Sequence, residues 1–495
     1  MGKRYKEWTP RQVELLPPSP SDWLPDDDLA YFILDTVDRL DLSAIEAVLQ
    51  SKDPRGTRPY DPRLMVALLL LGYCVGVTSS RKLARATFRD VAFRVIAGGQ
   101  HPDYSVISEF RRVHLQALRG LFGQTVQVAQ EMGIVQLGRV ALDGTKMRAN
   151  ASKHKAMSYE RMKKKKTKLE ADIAAYFAEA ERVDREEDAL YGKGNRGDEL
   201  PPELRDRVKR LKKLDEAMAA LEAEAARTKA TDLRERAARQ REHAQETADP
   251  VESKRAATRA KQLDARAEKM DPKSSDDDES EPPPASSGDL PSHRVPATPS
   301  GKPKDKAQRN FTDPDSRIMK HDGGYIQAYN AQAVAEPSHQ IVVGCAVTNQ
   351  APDQEHLPPL LEEVRRTCGD YPDELLADNG YWAESHVGYC EERGVEPYIA
   401  TGRLKHGESP PPTRGRIPQS LGTKGRMRRK LGTKKGREIY ARRKAVVEPV
   451  FGQIKHARGL RSFLLRGLEK VRGEWALMCA GHNLRKLHLA SLAAR

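Results

Sequence analysis

Hydrophobic residues recur at helical spacing through the first quarter of the chain. Apolar positions three or four residues apart predict helices in LAYFILDTVDRL and SAIEAVLQ, and the run Leu64–Val77 predicts a buried helix. That run is too short to cross a bilayer. Residues 1–132 are therefore predicted to form an all-α N-terminal domain.

Basic side chains lie on the predicted helices of this region. Arg81, Lys82, Arg85, Arg111 and Arg112 could belong to a helix-turn-helix-like reader of DNA. A solvated helix face explains them equally well. The pattern leaves both interpretations open.

The pattern changes to that of β-strands in two separate stretches. Residues 133–154 contain VALDGTKMRANAS, an apolar strand that we expect to end at Asp143. Residues 311–495 predict a strand hairpin, a helix, a strand, a helix, another strand and C-terminal helices. The two stretches together predict an α/β core in which helices flank a mixed sheet.

The residues between these stretches have a different composition. Residues 155–270 are rich in Ala, Glu, Lys and Arg, with apolar residues at a heptad-like spacing between residues 204 and 225. They predict an inserted hairpin of two helices joined near Gly192–Pro202. Residues 271–310 are rich in Pro, Ser and charge, and predict a disordered linker.

The net charge of the chain indicates the kind of partner that it binds. The 495 residues are 38% hydrophobic and 32% charged, with a formal net charge of +14. Such an excess favours a polyanion, most simply nucleic acid. The five cysteines form no C-x-x-C pair, and the N-terminus has no apolar signal core. We therefore expect a cytoplasmic, nucleoid-associated protein without a membrane partner.

Three carboxylates stand out against this basic background. Asp143 alone fits an Asp-Gly turn best. A second apolar strand, however, ends at Asp378 in LADNGYW, and Glu448 follows between apolar and basic positions. Acids from neighbouring strand ends and a flanking helix can converge on divalent cations, and hard oxygen ligands suit Mg²⁺. The set predicts a phosphoryl-transfer site.

The motifs ALDGTKMRANAS, LADNGYW and YARRKAVVEPVFGQIK together resemble those of DDE-type transposases of bacterial insertion sequences, in the branch with a Tyr-Arg-Glu-Lys signature. The resemblance implies a ribonuclease-H-like catalytic core, with Asp143, Asp378 and Glu448 as catalytic residues and metal ligands. It further implies two Mg²⁺ ions, for which Mn²⁺ would substitute. The expected reactions are cleavage of double-stranded DNA at terminal inverted repeats and transfer of the 3′-hydroxyl into target DNA, by a homodimer or larger assembly.

The same resemblance implies DNA-binding residues around the third acid. Tyr440, Glu448 and Lys455 fit the signature. Arg443 keeps its distance from Tyr440 but lies one residue too far from Glu448, where Lys444 takes its place. Both basic residues therefore stay candidates for DNA contact.

Further basic residues are expected to meet DNA phosphates. Lys146 and Arg148 follow Asp143 closely, and residues 401–437 are rich in Lys and Arg with Glu408 as their single acid. Pro449 is expected to interrupt the helix that carries Glu448, because it lacks an N–H group.

Two other functions fit the same residues. A ribonuclease-H-like nuclease without strand transfer would share the three acids. A catalytically inert DNA-binding regulator would share the basic surface, although the three intact acids argue against it.

Overall fold

The computed structural model describes residues 19–51, 58–191, 202–271, 290–402 and 420–494. Helices of the N-terminal region are α1 (Leu29–Val37), α2 (Ser43–Gln50), α3 (Pro62–Val75), α4 (Ser80–Arg89), α5 (Val91–Ala97), α6 (Tyr104–Val113) and α7 (Leu115–Glu131). Asp28, Asp61, Asp90 and Asp103 accept hydrogen bonds from the first turns of α1, α3, α5 and α6. The prediction of a helical N-terminal region is confirmed.

The rest of the described chain mixes strands and helices. In chain order these are β1 (Arg139–Arg148), β2 (Ala156–Ser158), α8 (Tyr159–Tyr191), α9 (Pro202–Glu246), α10 (Pro250–Met270), β3 (Gln308–Asn310), β4 (Arg317–His321), β5 (Gly324–Ala335), β6 (Val342–Thr348), α11 (Leu357–Cys368), β7 (Glu374–Ala377), α12 (Glu384–Glu391), β8 (Glu396–Ile399), α13 (Thr423–Gly432), α14 (Lys434–Gly452) and α15 (Leu468–Ala493).

A six-stranded mixed sheet has β1 at its centre. One edge of β1 pairs antiparallel with β5, and the other pairs parallel with β7, which pairs parallel with β8. The free edge of β5 pairs antiparallel with β4 and then with β6. The helices flank this sheet, and the arrangement is compatible with a ribonuclease-H-like core.

The first strand is longer than expected. Asp143 was predicted to end it, and an Asp-Gly turn was the alternative. Instead β1 runs on to Arg148, because β5 pairs with it along that whole length, from Ala141 to Arg148. The parallel partner β7 stops earlier, at the pair Leu142–Ala377. Asp143 is thus an in-strand residue at the point where one edge of β1 becomes unpaired.

Helix α15 joins the N-terminal helices to the sheet. It is buried on nearly every side, and it packs against α3 and α7 as well as against β6. The Cys74 thiol of α3 donates a hydrogen bond to the carbonyl of Gly481 at 3.3 Å. A single apolar core therefore runs from α1 through the sheet to α15.

The inserted segment has three helices where a hairpin of two was expected. α9 ends at Glu246, and α10 begins after Asp249, which caps it by accepting a hydrogen bond from the Val251 N–H group. Pro250 at the first position favours this new start. Of the seam between residues 204 and 225, Leu214, Leu221 and Ala225 are buried, whereas Val208 is exposed.

The predicted linker is only partly described. Residues 272–289 lie outside the described residues. Residues 290–310 pack against the insertion, contrary to the expectation of disorder: Val295 and Ala307 are buried with Tyr159, Leu221 and Ala225, and β3 pairs with β2. Few apolar residues suffice here because the long helices supply the rest of the small core.

Pro449 does not interrupt its helix, contrary to expectation. α14 continues through it to Gly452 and passes into a π-helical turn, Gln453–Ala457. Proline leaves the carbonyl four residues before it without a donor. That carbonyl, of Ala445, accepts a hydrogen bond from Gln340 Nε2 at 3.3 Å. A side chain from the β5–β6 turn thus replaces the missing backbone donor.

Among the described residues, no single helix is long and apolar enough to span a membrane. Helices α3 and α4 reach that length and composition only when they are taken together, and a bend of 97° separates them.

The approach of α15 to α3 leaves no room for a side chain at Gly481. A Cβ there would lie 2.9 Å from two atoms of Tyr73, one of them in the backbone. Gly481→Ala should therefore destabilise the protein by about 1–3 kcal/mol. Gly123→Ala is the matched control, since Gly123 is also inside a helix and a Cβ there meets nothing within 4 Å; it should stabilise by about 0.5–1 kcal/mol. Denaturant melts of both variants measure the difference, and equal shifts would contradict the packing argument.

Candidate functional site

Two of the predicted acids lie side by side on neighbouring strands. β1 and β7 run parallel with Leu142 opposite Ala377, so the next step of the register places Asp143 opposite Asp378. Neighbouring strands are about 4.8 Å apart, and residues opposite each other point to the same face. Asp378 directly follows β7 and accepts a hydrogen bond from the Gly380 N–H group at 2.8 Å. The sheet thus brings the two carboxylates together.

Helix α14 covers the face of the sheet on which Asp143 lies. Opposite Asp143 and Thr145 on β5 are Ala333 and Ala331, whose small side chains let a helix approach. Arg443 of α14 reaches Asp143 and donates a hydrogen bond to its Oδ2 from Nη1 at 2.9 Å. The ion pair is largely shielded from water, with side-chain exposures of 9% for Arg443 and 20% for Asp143.

Burial and charge act in opposite directions on Asp143. Burial raises the pKa of its carboxyl group, the Arg443 cation lowers it, and the nearby Asp378 carboxylate raises it, with a net upward shift. The pKa of Arg443 is pulled down by burial but raised overall, mainly by Asp143. A cation beside the two aspartates would relieve their mutual repulsion.

Glu448 lies on α14, the helix that also carries Arg443. It is exposed on α14, five residues beyond Arg443, and no described side chain forms an ion pair with it. Within the described ranges, no three side chains of His, Cys, Asp or Glu form a group that could hold a metal ion. Asp143 and Asp378 are thus the predicted acids that the register of the sheet brings together.

Sequence reasoning missed a buried polar network on the other face of β1. Gln332 of β5 donates to Asp353 Oδ1 at 2.9 Å and accepts from the Tyr381 hydroxyl. Asn330 also donates to that oxygen, at 2.6 Å. The signal was present in the sequence, since Asn and Gln interrupt the apolar strand YNAQAVA, and buried polar groups need partners.

This network lies close to the two aspartates. A Cβ at Gly380 would be 3.0 Å from Asp378 Oδ1 and 3.6 Å from Asp353 Oδ2. The turn after β7 therefore places Asp353 beside Asp378, with Tyr381 as its buried anchor. Asp353 is a carboxylate of this site that the sequence analysis did not single out.

The predicted DNA-binding residues fall into different environments. Lys146 is held by the Ala351 carbonyl at 2.8 Å and by Asp353 at 3.3 Å. Arg148 is exposed at the end of β1, and Tyr440 is half-buried beside Arg443. Arg443 faces Asp143 whereas Lys444 is exposed, so the two candidates at this position have different surroundings.

Lys455 reaches back to β1 from the π-helical turn. Its Nζ donates to Thr145 Oγ1 and to the Lys146 carbonyl, the latter at 3.0 Å. Burial lowers the pKa of Lys455 to about 8, and the charge of Lys146 contributes. Burial also lowers the pKa of Lys146. Lys146 thus lies beside Asp353, and Lys455 is bound to β1 two residues beyond Asp143.

Two further predictions of DNA contact have different outcomes. Arg111 is buried and donates to the Thr78 carbonyl at 2.9 Å and to Ser80 Oγ at 3.1 Å. It holds α4 and α6 together, so neither of the two open interpretations, a DNA contact or a solvated helix face, describes it. Of the basic segment 401–437, residues 403–419 lie outside the described residues, and α13 and the start of α14 account for most of the remainder.

Comparison with known families gives two matches, in two separate segments of the chain. Residues 18–113 match a model described as a transposase domain (DUF772), and residues 393–488 match the transposase DDE domain. The matches indicate a transposase of the insertion-sequence type. The DDE match includes Glu448 and Lys455 but begins beyond Asp143 and Asp378. No curated protein and no solved structure matches the chain.

The contact between Gly144 and Gln332 can be tested by a double-mutant cycle. A Cβ at Gly144 would lie 2.3 Å from Gln332 Nε2, in a network that fixes that amide. Gly144→Ala should cost about 1–3 kcal/mol of stability, and Gln332→Ala a similar amount because buried partners lose their hydrogen bonds. In the double variant the methyl group occupies vacated space, so the loss should be less than the sum.

Chemical denaturation of the four proteins gives the coupling energy. Gly138→Ala serves as the control, because the nearest atom to a Cβ there is 3.7 Å away. Strictly additive losses would show that the Gln332 amide is not held against Gly144.

Proposed function

We propose that the chain is a DNA transposase that cleaves at terminal inverted repeats and joins the freed 3′-hydroxyl to target DNA. The observation that carries this proposal is the position of Asp143 opposite Asp378, directly after the last paired residues of two adjacent parallel strands, with Arg443 bound to Asp143. Acids beside cations suit a site that must bind a phosphodiester and also the ions that act on it.

Divalent ions are part of the proposal. The carboxylate oxygens of Asp143 and Asp378 are the hard donors that Mg²⁺ prefers, and Mn²⁺ should substitute. Glu448 is proposed as the third ligand, and its exposed carboxylate has no competing ion pair among the described side chains. When bound, a pair of such ions supplies activation of the attacking oxygen and stabilisation of the leaving oxygen.

The chain's own residues orient these groups. Arg443 holds Asp143 on the α14 face and supplies positive charge where a phosphate would approach. Lys455 is fixed on Thr145, which lies two residues beyond Asp143 on the same face of β1. We propose that Lys455, Tyr440 and the exposed Arg148 and Lys444 contact the DNA backbone.

Recognition of the inverted repeat is proposed for the N-terminal helices. With Arg111 buried and Arg112 paired with Glu109, the candidates that remain for this role are the exposed residues Arg81, Lys82 and Arg85 of α4. Because two element ends must be joined, we propose a homodimer or larger assembly on DNA.

The carboxylates can be tested with isosteric variants. Asp143→Asn and Asp378→Asn should each reduce cleavage of an inverted-repeat substrate at least about a hundredfold in Mg²⁺ or Mn²⁺, while DNA binding in a gel-shift assay persists. Glu448→Gln tests the third ligand separately. Asp373→Asn, an exposed aspartate just before β7, is the matched control and should leave cleavage unchanged.

The products of the assay separate the possible outcomes. Strand-transfer products on a mini-element plasmid support a transposase, and cleavage without them supports a nuclease. Full activity of Asp143→Asn or Asp378→Asn would refute the assigned site. Full activity of Glu448→Gln alone would remove only the third ligand.

The lowered pKa of Lys455 predicts a pH effect on DNA binding. Its ammonium is present below about pH 8 and is lost as the pH rises through that value. The affinity of the unsubstituted chain should therefore fall between pH 7 and 9.5, by up to about tenfold for one phosphate contact. Lys455→Arg stays charged throughout, so its profile should lack this step. Parallel profiles of the two proteins would exclude Lys455 as a phosphate contact.

A further inference from the structure

A cleft rich in arginine lies between α9 and α10 of the inserted segment. Its volume is about 460 Å³, and Arg236 and Arg239 of α9 line it together with Arg259 and Arg266 of α10. All four side chains are exposed. The rest of the lining is neutral, so this surface concentrates positive charge without an acid among its residues.

The other side of the same helix pair is built differently. There Arg241 pairs with Asp264, and Arg234 lies 3.5 Å from Asp271. None of the four cleft arginines forms an ion pair with a described side chain. If the cleft arginines served only to join α9 to α10, acidic residues would face them, as they do on the other side of the helix pair.

One acid, Glu235, precedes the cleft arginines of α9. It lies four residues before Arg239 and interacts with its charge, but the ion pair of its carboxylate is with Arg294. The cleft therefore presents guanidinium groups with free donors. Such groups bind phosphate oxygens in pairs and are the usual choice for nucleic-acid backbones.

The inserted segment holds this cleft at a fixed place relative to the sheet. Glu224 of α9 forms ion pairs with Arg309 of β3 and Arg317 of β4. Arg236 and Arg239 follow 12 and 15 residues later, which is about 18–22 Å along the helix. The cleft therefore lies about one and a half to two nanometres along α9 from the ion pairs that attach the insertion to β4.

We infer that this arginine cleft binds the backbone phosphates of duplex DNA flanking the reaction site. Arg259 and Arg266 are seven residues apart, so they lie about 10 Å apart along α10, far enough for each to contact a different backbone phosphate. The inference rests on the proposed function for the identity of the polyanion. It assigns the insertion a part in holding DNA that the catalytic residues do not supply.

The test compares two pairs of basic residues on one helix. Arg259→Ala with Arg266→Ala removes two cleft charges, whereas Lys254→Ala with Lys261→Ala removes two exposed charges outside the cleft at the same spacing. Binding of the full chain to a labelled duplex of about 40 base pairs is measured over a range of salt, in an Asp143→Asn background that prevents cleavage.

The cleft pair should lower affinity about tenfold or more at 0.1 M salt and reduce the slope of log K against log salt by about 1.8, since each phosphate contact contributes about 0.9. The lysine pair should change both much less. Circular dichroism and the thermal midpoint verify that both variants fold.

Each other result counts against the inference. If the two pairs of substitutions lowered DNA affinity equally, the effect would come from general positive charge and not from the cleft. Binding of polyglutamate that is as tight as DNA binding and equally sensitive to the arginines would assign the cleft to acidic proteins instead. If the unsubstituted chain bound no DNA, the proposed function would fail too; if it bound and only the arginine effect were missing, the cleft alone would be refuted.

Discussion

The unequal pairing of the two edges of β1 is the constraint on which the candidate site depends. Its antiparallel partner β5 continues to Arg148, while its parallel partner β7 stops at Ala377. Polar backbone groups beyond that point are open on one edge only, and the chain leaves β7 there as a turn. Asp143 is thus held rigidly by β5 and still faces a gap, in which Asp378 is its neighbour.

Helix α14, which covers Asp143, is held close to the sheet by small residues on β5 and by the side-chain amide of Gln340. Alanines on β5 let α14 lie close to the sheet, and the Gln340 side chain restores the bond that Pro449 removes. Gln340 also accepts hydrogen bonds from Gln453 and Lys486 at 3.0 Å through its Oε1. The turn between β5 and β6 therefore fixes the distance of α14 from the sheet, and with it the position from which Arg443 contacts Asp143.

Much of the fold follows from short-range sequence patterns, and the site follows from them only in part. Asp378 at a strand end was predicted because an apolar run stops there. The in-strand position of Asp143 was not, since it depends on how far β5 pairs, which is a long-range property. Asp353 has no local signature at all, and its role emerges only from partners on β5 and after β7. The third helix of the insertion was missed although Asp249 and Pro250 are a recognisable helix start.

The continuous core has a bearing on how this chain can be divided. α15 is covered by α3 and α7 on one side and by the sheet on the other, and Gly481 lies directly against the backbone at Tyr73. A shortened chain without the first 132 residues would leave the outer face of its last helix bare and apolar. Such a fragment should self-associate. Because α15 packs against the N-terminal helices, these parts of the chain form one folding unit although hundreds of residues separate them in sequence.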